Sequence, residues 1–272
     1  MKFIDKLILT LLNFLLLLLS ATIPSLVIAS SPAFYKTQFI KTGIYATIDE
    51  NGILGTPPPP IEYIGGNSGQ RAYFSNEQMD EIIQHIIDYM FTEKDSFALV
   101  MDGVNVNGVV KDNVHIFGEE AVTHMADVKT AFAYVKDFSL IGLAVVAVCV
   151  FYIILRKKHT SSILLKNLLK CYGFFIGIAL LFCGISFWQT QTSGLNFTNQ
   201  VWRNLHYIFF SMQADKIEGS FFADALTNIL TMDFFLGAIQ TVLITMASVF
   251  AFSFIVAVIA KIKSALSHRD NE

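Results

Sequence analysis

His124-Met125-Ala126-Asp127-Val128-Lys129 lies inside the run Glu119 to Asp137, and its reading decides the fold. At helical spacing Val122, Met125, Val128, Phe132 and Val135 fall on one side as an apolar stripe. His124 and Asp127 are three residues apart, so their side chains can meet on the neighbouring face, which Glu120 shares one turn earlier. The predicted helix then continues almost without a break into an apolar segment that starts near Phe138. An imidazole beside a carboxylate, just outside a membrane span, predicts half of an active site.

Composition supports spans rather than a large soluble core. The 272 residues are 54% hydrophobic and only 15% charged, with a mean hydropathy of +0.54. Soluble domains carry roughly 25% charged residues, and the deficit here is concentrated in runs. A net charge of −3 gives no reason to expect a nucleic-acid partner. Cys149, Cys171 and Cys183 all lie in apolar runs without a metal-ligand spacing, so they read as buried free thiols. Neither a metal nor a cofactor is expected.

Lys2 and Lys6 precede an apolar run from Leu7 to about Ala29, long enough for the roughly 20 residues of a spanning helix. A signal peptide would have an apolar core of about 7–15 residues and a small-residue cleavage site. This run is longer and no such site follows it, so it reads as a retained anchor. Pro57 to Pro60, followed by Gly65, Gly66 and Gly69, makes residues 50–73 read as an extended loop, with the prolines a stiff spacer. Ser75-Asn76-Glu77-Gln78 predicts a capping box. The helix after it places Ile82, Ile83, Ile86, Ile87 and Met90 on one side, with Glu81, Gln84, His85 and Asp88 on the other. Asp102-Gly103, between Phe97–Met101 and Val104–Val106, predicts a hairpin, and Asn107-Gly108 marks a second reversal.

Further spans are expected at Phe138–Leu155, Leu168–Trp188 (with glycines that let helices approach closely) and Asp233–Ala260. Lys2 and Lys6, the loop 156–170 and the tail after residue 260 are basic, which assigns that side to the cytoplasm. The expected fold class is therefore an all-α membrane protein: four transmembrane helices with a small α+β extracytoplasmic cap. Its segments are a first transmembrane helix at 1–29, a cap with a hairpin and amphipathic helices at 30–137, and the second and third transmembrane helices at 138–188. A second extracytoplasmic segment at 189–232, a fourth transmembrane helix at 233–260 and a cytoplasmic tail at 261–272 follow. Both termini are expected in the cytoplasm.

The second outer segment carries Trp202-Arg203-Asn204-Leu205-His206-Tyr207-Ile208-Phe209-Phe210. Trp202, Leu205, Phe209 and Phe210 suit a lipid interface, and Arg203 and His206 are spaced to share a helical face. His206 is thereby expected on the same side of the membrane as His124. Each residue also has a plainer reading: a histidine hydrogen-bonded for structure, an aspartate paired locally, an arginine on a lipid phosphate. His85 and His115 lack comparable neighbours and read as surface residues.

The pattern His124-Met-x-Asp-Val-Lys leading into a span, with Trp202-x-x-x-His206-x-x-Phe-Phe before the last span, resembles the bacterial lipoprotein intramolecular transacylase family. Ser31-Pro32-x-Phe34-Tyr35, the helix around Ile83 to Met90 and Asp233-Phe234-Phe235 fit the same resemblance, which covers most of the chain. The chain departs from that pattern in a long insert around residues 49–73 and in lacking a proline before Asp233.

The resemblance implies a membrane enzyme that acts on a diacylated lipoprotein in the cytoplasmic membrane, without a cofactor. It would move the sn-2 acyl chain of the diacylglyceryl-cysteine onto the N-terminal α-amine, giving the lyso form. It further implies His124 and His206 as the catalytic pair. Asp127, Arg203 and Lys129 are expected in support of them, and Trp202 and Phe209 against substrate. Membrane lipid is the other expected partner, and the sequence leaves the oligomeric state open. The rival reading is a non-enzymatic scaffold whose cap binds an extracytoplasmic partner. Hydrolase signatures such as Gly-x-Ser-x-Gly and His-Glu-x-x-His are missing.

Overall fold

The computed structural model describes residues 3–45, 58–156, 161–209 and 224–269. Residues 49–57 of the insert, with Pro57, lie outside these, as do Lys157, Lys158 and His159 of the basic loop and Phe210. The chain divides into two units. One is helical and comprises Met1–Ser25, Val135–Asn204 and Gln240–Glu272; the other is mixed and comprises Leu26–Tyr134 and Leu205–Ile239.

Among the described residues four helices are long and apolar enough to cross a membrane: α1 (Phe3–Ala29), α4 (Glu119–Arg156), α5 (Ser161–Ser193) and α8 (Met232–Arg269). α4 runs unbroken from Glu119 through the His124 stretch, as its periodicity predicts. In the helical unit large apolar side chains such as Phe151, Phe174, Leu180 and Phe252 face outward, the pattern of helices solvated by lipid.

Short polar contacts tie these helices together. The Tyr152 hydroxyl donates to Asp5 Oδ1 at 2.9 Å, Ser139 Oγ to Thr22 Oγ1 at 2.9 Å, and Asn167 Nδ2 to Thr10 Oγ1 at 3.1 Å. The glycines of α5 do not mediate close packing: a Cβ at Gly173, Gly177 or Gly184 would meet nothing within 4 Å. Close approach occurs at Gly142 of α4 instead, where a Cβ would lie 3.1 Å from Leu19. Cys149 is buried as expected, but Cys183 is exposed, because α5 turns that side outward.

In the mixed unit Ser31 caps α2 (Pro32–Lys41), with Pro32 in its first turn. Tyr35 and Phe39 pack on Phe234 at the start of α8, with ring centroids 5.0 and 5.9 Å away. α3 (Asn76–Phe91) opens on the predicted capping box: Ser75 Oγ accepts from the Gln78 amide at 3.2 Å, and Gln78 Oε1 accepts from the Ser75 amide at 3.0 Å. Its isoleucines and Met90 are buried in the core.

Two sequence expectations fail here. Residues 58–73 are not an extended loop but form β1 (Ile61–Glu62), a 3₁₀ turn and β2 (Arg71–Tyr73), paired antiparallel with Ile61 opposite Ala72. Nor is Asp102-Gly103 the hairpin turn. β3 (Val100–Met101) pairs with β6 (Val114–His115), and β4 (Val104–Val106) with β5 (Val109–Lys111), so that one hairpin turns at Asn107-Gly108. Both turn residues have positive φ, 52° and 85°, as a two-residue hairpin turn demands. Asp102-Gly103 lies opposite Asp112-Asn113 and interrupts the ladder. The Gly103 amide donates to Asp112 Oδ1 at 2.9 Å and the Asn113 amide to Asp102 Oδ1 at 2.7 Å, so the two breaks cap each other. The larger sheet has the order β1-β2-β4-β5.

His85 also departs from expectation. It is buried, not on the surface, because α3 turns it toward Phe97 and Phe117, whose rings stack 4.5 Å apart. His115 is exposed, as expected.

Candidate active site

The site residues of α4 start from its N-terminus. Gly118 precedes the helix, and its amide donates to Asp224 Oδ2 at 2.8 Å. The other oxygen of Asp224 accepts from the Leu226 amide at 2.8 Å and so caps α7 (Ala225–Ile229). One carboxylate therefore sits on the positive ends of two helices. Burial pushes the Asp224 pKa up, opposed by the two amide hydrogen bonds and reinforced by the negative charge of Glu120. Space at Gly118 is fully used, since a Cβ there would lie 2.7 Å from Asp224 Oδ2 and 3.0 Å from Gly66 Cα. Sequence reading overlooked Asp224, although Asp-Ala-Leu-Thr carries the N-cap signal.

Less than two turns into α4, His124 is only 6% exposed, whereas Asp127 is exposed. On the stripe, Met125 is buried in the core and Val122, Val128 and Phe132 pack against it. His124 is thereby largely withdrawn from bulk water, one turn before the exposed Asp127 on the same helix.

Lys129 has a definite structural engagement. Its ammonium donates to Thr92 O at 2.9 Å and Lys94 O at 2.7 Å, and lies 4.6 Å from the centre of the Tyr89 ring. It thus closes the C-terminal end of α3, where free carbonyls attract a cation, and fastens that end to α4. Tyr89 lies in the field of Asp127: its pKa is raised first by burial and then by that negative charge.

The second group of residues lies on α6 (Phe197–Phe209). α5 ends at Ser193, Gly194 adopts a left-handed conformation, and Asn196 Oδ1 accepts from the Asn199 amide at 2.8 Å to cap the new helix. Trp202 and Arg203 are half-buried. Gln200 Oε1 accepts from Arg203 Nη2 at 3.2 Å. The backbone puts His206 three residues after Arg203 on this helix; the side chains of His206 and Phe209 lie outside the described residues. His124, Asp127 and Lys129 belong to the mixed unit, and Trp202 and Arg203 to the helical one.

Among the described residues no cluster of histidine, cysteine and carboxylate side chains suited to a metal ion occurs. No curated protein and no solved structure matches the chain. The family model described as lipoprotein intramolecular transacylase Lit matches residues 7–235, a stretch that includes His124 and His206, the mixed unit up to Phe235 and, from Leu7 on, the first three spans. A match over most of the chain shows the family: the chain belongs to the lipoprotein intramolecular transacylases, integral membrane acyltransferases of lipoprotein processing.

Proposed function

We propose that the protein moves the sn-2 acyl chain of a diacylglyceryl-cysteine lipoprotein onto that lipoprotein's own N-terminal α-amine. The reaction takes place at the extracytoplasmic face, the side expected for residues 30–137 and 189–232. Basic residues at 2 and 6, in 156–170 and after 260 support cytoplasmic termini. The observation that carries the chemistry is a histidine buried near the start of a helix that continues into a span, in a chain of this family.

The neutral amine attacks the ester carbonyl carbon, forming the C–N bond and a tetrahedral oxyanion. His124, oriented by Asp127, takes the proton the nitrogen loses and returns it to the glyceryl oxygen as the C–O bond breaks. His206, supported by Arg203, donates to the oxyanion. Trp202 and Phe209 hold the acyl and glyceryl parts, with membrane lipid around them, and Lys129 holds α4 in place through the end of α3. Donor and acceptor belong to one molecule, so positioning supplies much of the acceleration and no acyl-enzyme is required.

Substrate and product are isomers with the same intact mass. Fragmentation of the N-terminal peptide of a reporter lipoprotein distinguishes an N-acyl from a second O-acyl chain. Wild-type enzyme is expected to give the N-acyl, monoacylglyceryl form and His124→Ala none above background. A fully active His124→Ala enzyme refutes the assignment.

A further inference from the structure

The loop-side ends of α5 and α6 hold a group of polar side chains that the reaction scheme above does not use. Gln200 is 0% exposed, as is Ser186. All four hydrogen-bonding positions of the Gln200 amide are filled. Its Oε1 accepts from Ser193 Oγ at 2.8 Å and from Arg203 Nη2 at 3.2 Å. Its Nε2 donates to Gln189 Oε1 at 3.0 Å and to Asn204 Oδ1 at 3.1 Å.

Asn204 closes the ring, with Nδ2 donating to Gln189 Oε1 at 2.7 Å and to Ser186 Oγ at 2.9 Å. Three amides, from Gln189, Gln200 and Asn204, thus bond one another in a triangle. The guanidinium has only donors, so the oxygen of Gln200 must face it, and the two neighbouring amide oxygens then require the NH₂ on the other side. Neither orientation nor residue type is free. Glutamate in this place would set its second oxygen against two acceptors and would add a negative charge to Arg203.

We propose that Gln200 is a positioning residue for the transacylation: it aims Arg203 at the reacting ester without neutralising it. The inference rests on the reading of Arg203 as support for the oxyanion. A buried amide with all four positions filled holds one geometry, because every alternative leaves a desolvated donor or acceptor unmade. A charged group whose task is to meet a transient anion needs that fixity, since misplacement by about 1 Å can cost roughly a hundredfold in rate.

The test uses the full-length enzyme in nanodiscs, with initial rates on a purified diacylated lipoprotein giving kcat and KM separately. Gln200→Leu is expected to lower kcat about tenfold to a hundredfold with KM changed less than about threefold. In an Arg203→Lys background the same change is expected to add little, because both act on one interaction. Multiplicative losses, which a purely structural tie between α5 and α6 would give, overturn the proposal. Gln200→Glu covers the case in which Gln200→Leu does not accumulate. It is expected to lose at least about tenfold in kcat, and a Gln200→Glu enzyme with wild-type kcat overturns the proposal. A deficient Arg203→Lys beside an unimpaired Gln200→Leu sinks this inference alone. An unimpaired Arg203→Lys removes Arg203 from the reaction and this inference with it.

Discussion

Asp224 accepts the amide proton of Gly118 at 2.8 Å across 106 residues of chain, while its other oxygen caps the short helix that follows it. The bond fixes the point from which α4 departs, and His124 lies less than two turns further along. Gly118 is equally constrained, since any Cβ there runs into Asp224 Oδ2 and the backbone of Gly66.

Two variants probe that joint from opposite sides. Asp224→Ala orphans the Gly118 and Leu226 amides, each at about 1–3 kcal/mol of stability. Gly118→Ala forces the Gly66 backbone aside, at a cost of about 1–3 kcal/mol. Thermal unfolding in detergent measures both, and each is expected to lower the midpoint and the transacylation rate together. Wild-type midpoints would show that the joint does not hold α4.

His85 gives the mixed unit a pH dependence unrelated to catalysis. Its Nε2 meets Phe97 O at 2.9 Å and its Nδ1 meets the Lys94 ammonium at 3.5 Å. A carbonyl only accepts and an ammonium only donates, so the ring is neutral with its proton on Nε2. Burial holds its pKa below the ordinary 6.5 and Lys94 adds to this, against the Phe97 carbonyl, Asp88 and Glu81. The folded state binds fewer protons than the unfolded state, so stability is intact above about pH 6.5 and falls as pH drops below it. Unfolding midpoints between pH 7.5 and 5.5 are expected to decline in the wild type. His85→Gln is expected to start lower and vary less, and parallel slopes in the two proteins would refute the assignment.

Where periodicity or a local cap carried the information, the sequence was legible. Ser75 and Gln78 form their capping box, the isoleucines of α3 are buried, and α4 runs through His124 into a span. Wherever the deciding partner is distant in sequence, it was not. His85 sits at a position that looks polar on α3 and is buried only because Phe97 and Phe117 stack beside it. Asp102-Gly103 and Asn107-Gly108 carry similar turn chemistry; the latter won because β4 pairs with β5 across it in the same register that joins β3 to β6. Gln200 is an ordinary polar residue until Gln189 and Ser193 of α5 surround it.

Lys129 illustrates how a residue beside an active site can act through the scaffold. Its contacts are two carbonyls at the end of α3 and the Tyr89 ring. Lys129→Met keeps the stem but loses both bonds, and is expected to cost about 1 kcal/mol, since the site is partly exposed. Its kcat is expected to change less than that of any His124 variant. A kcat as low as that of His124→Ala, with an unchanged unfolding midpoint, would instead give the ammonium a direct part in the reaction.

Asp127 and His206 separate base from stabiliser. A general base contributes roughly a hundredfold to ten-thousandfold, so His124→Ala is expected to lose at least that much. If Asp127 only orients the imidazole, Asp127→Asn keeps a side chain able to accept from a ring N–H. It is then expected to reduce kcat by about tenfold, well short of the loss in His124→Ala. An unchanged rate would confine Asp127 to structure. His206→Gln retains a donor for the oxyanion but cannot carry a proton between atoms. If His206 stabilises charge, this variant keeps measurable turnover where His206→Ala does not. If instead His206 is the base, the two variants fail alike and His124→Gln is the one that survives. Single-turnover rates for the four histidine variants on one lipoprotein decide between the two assignments.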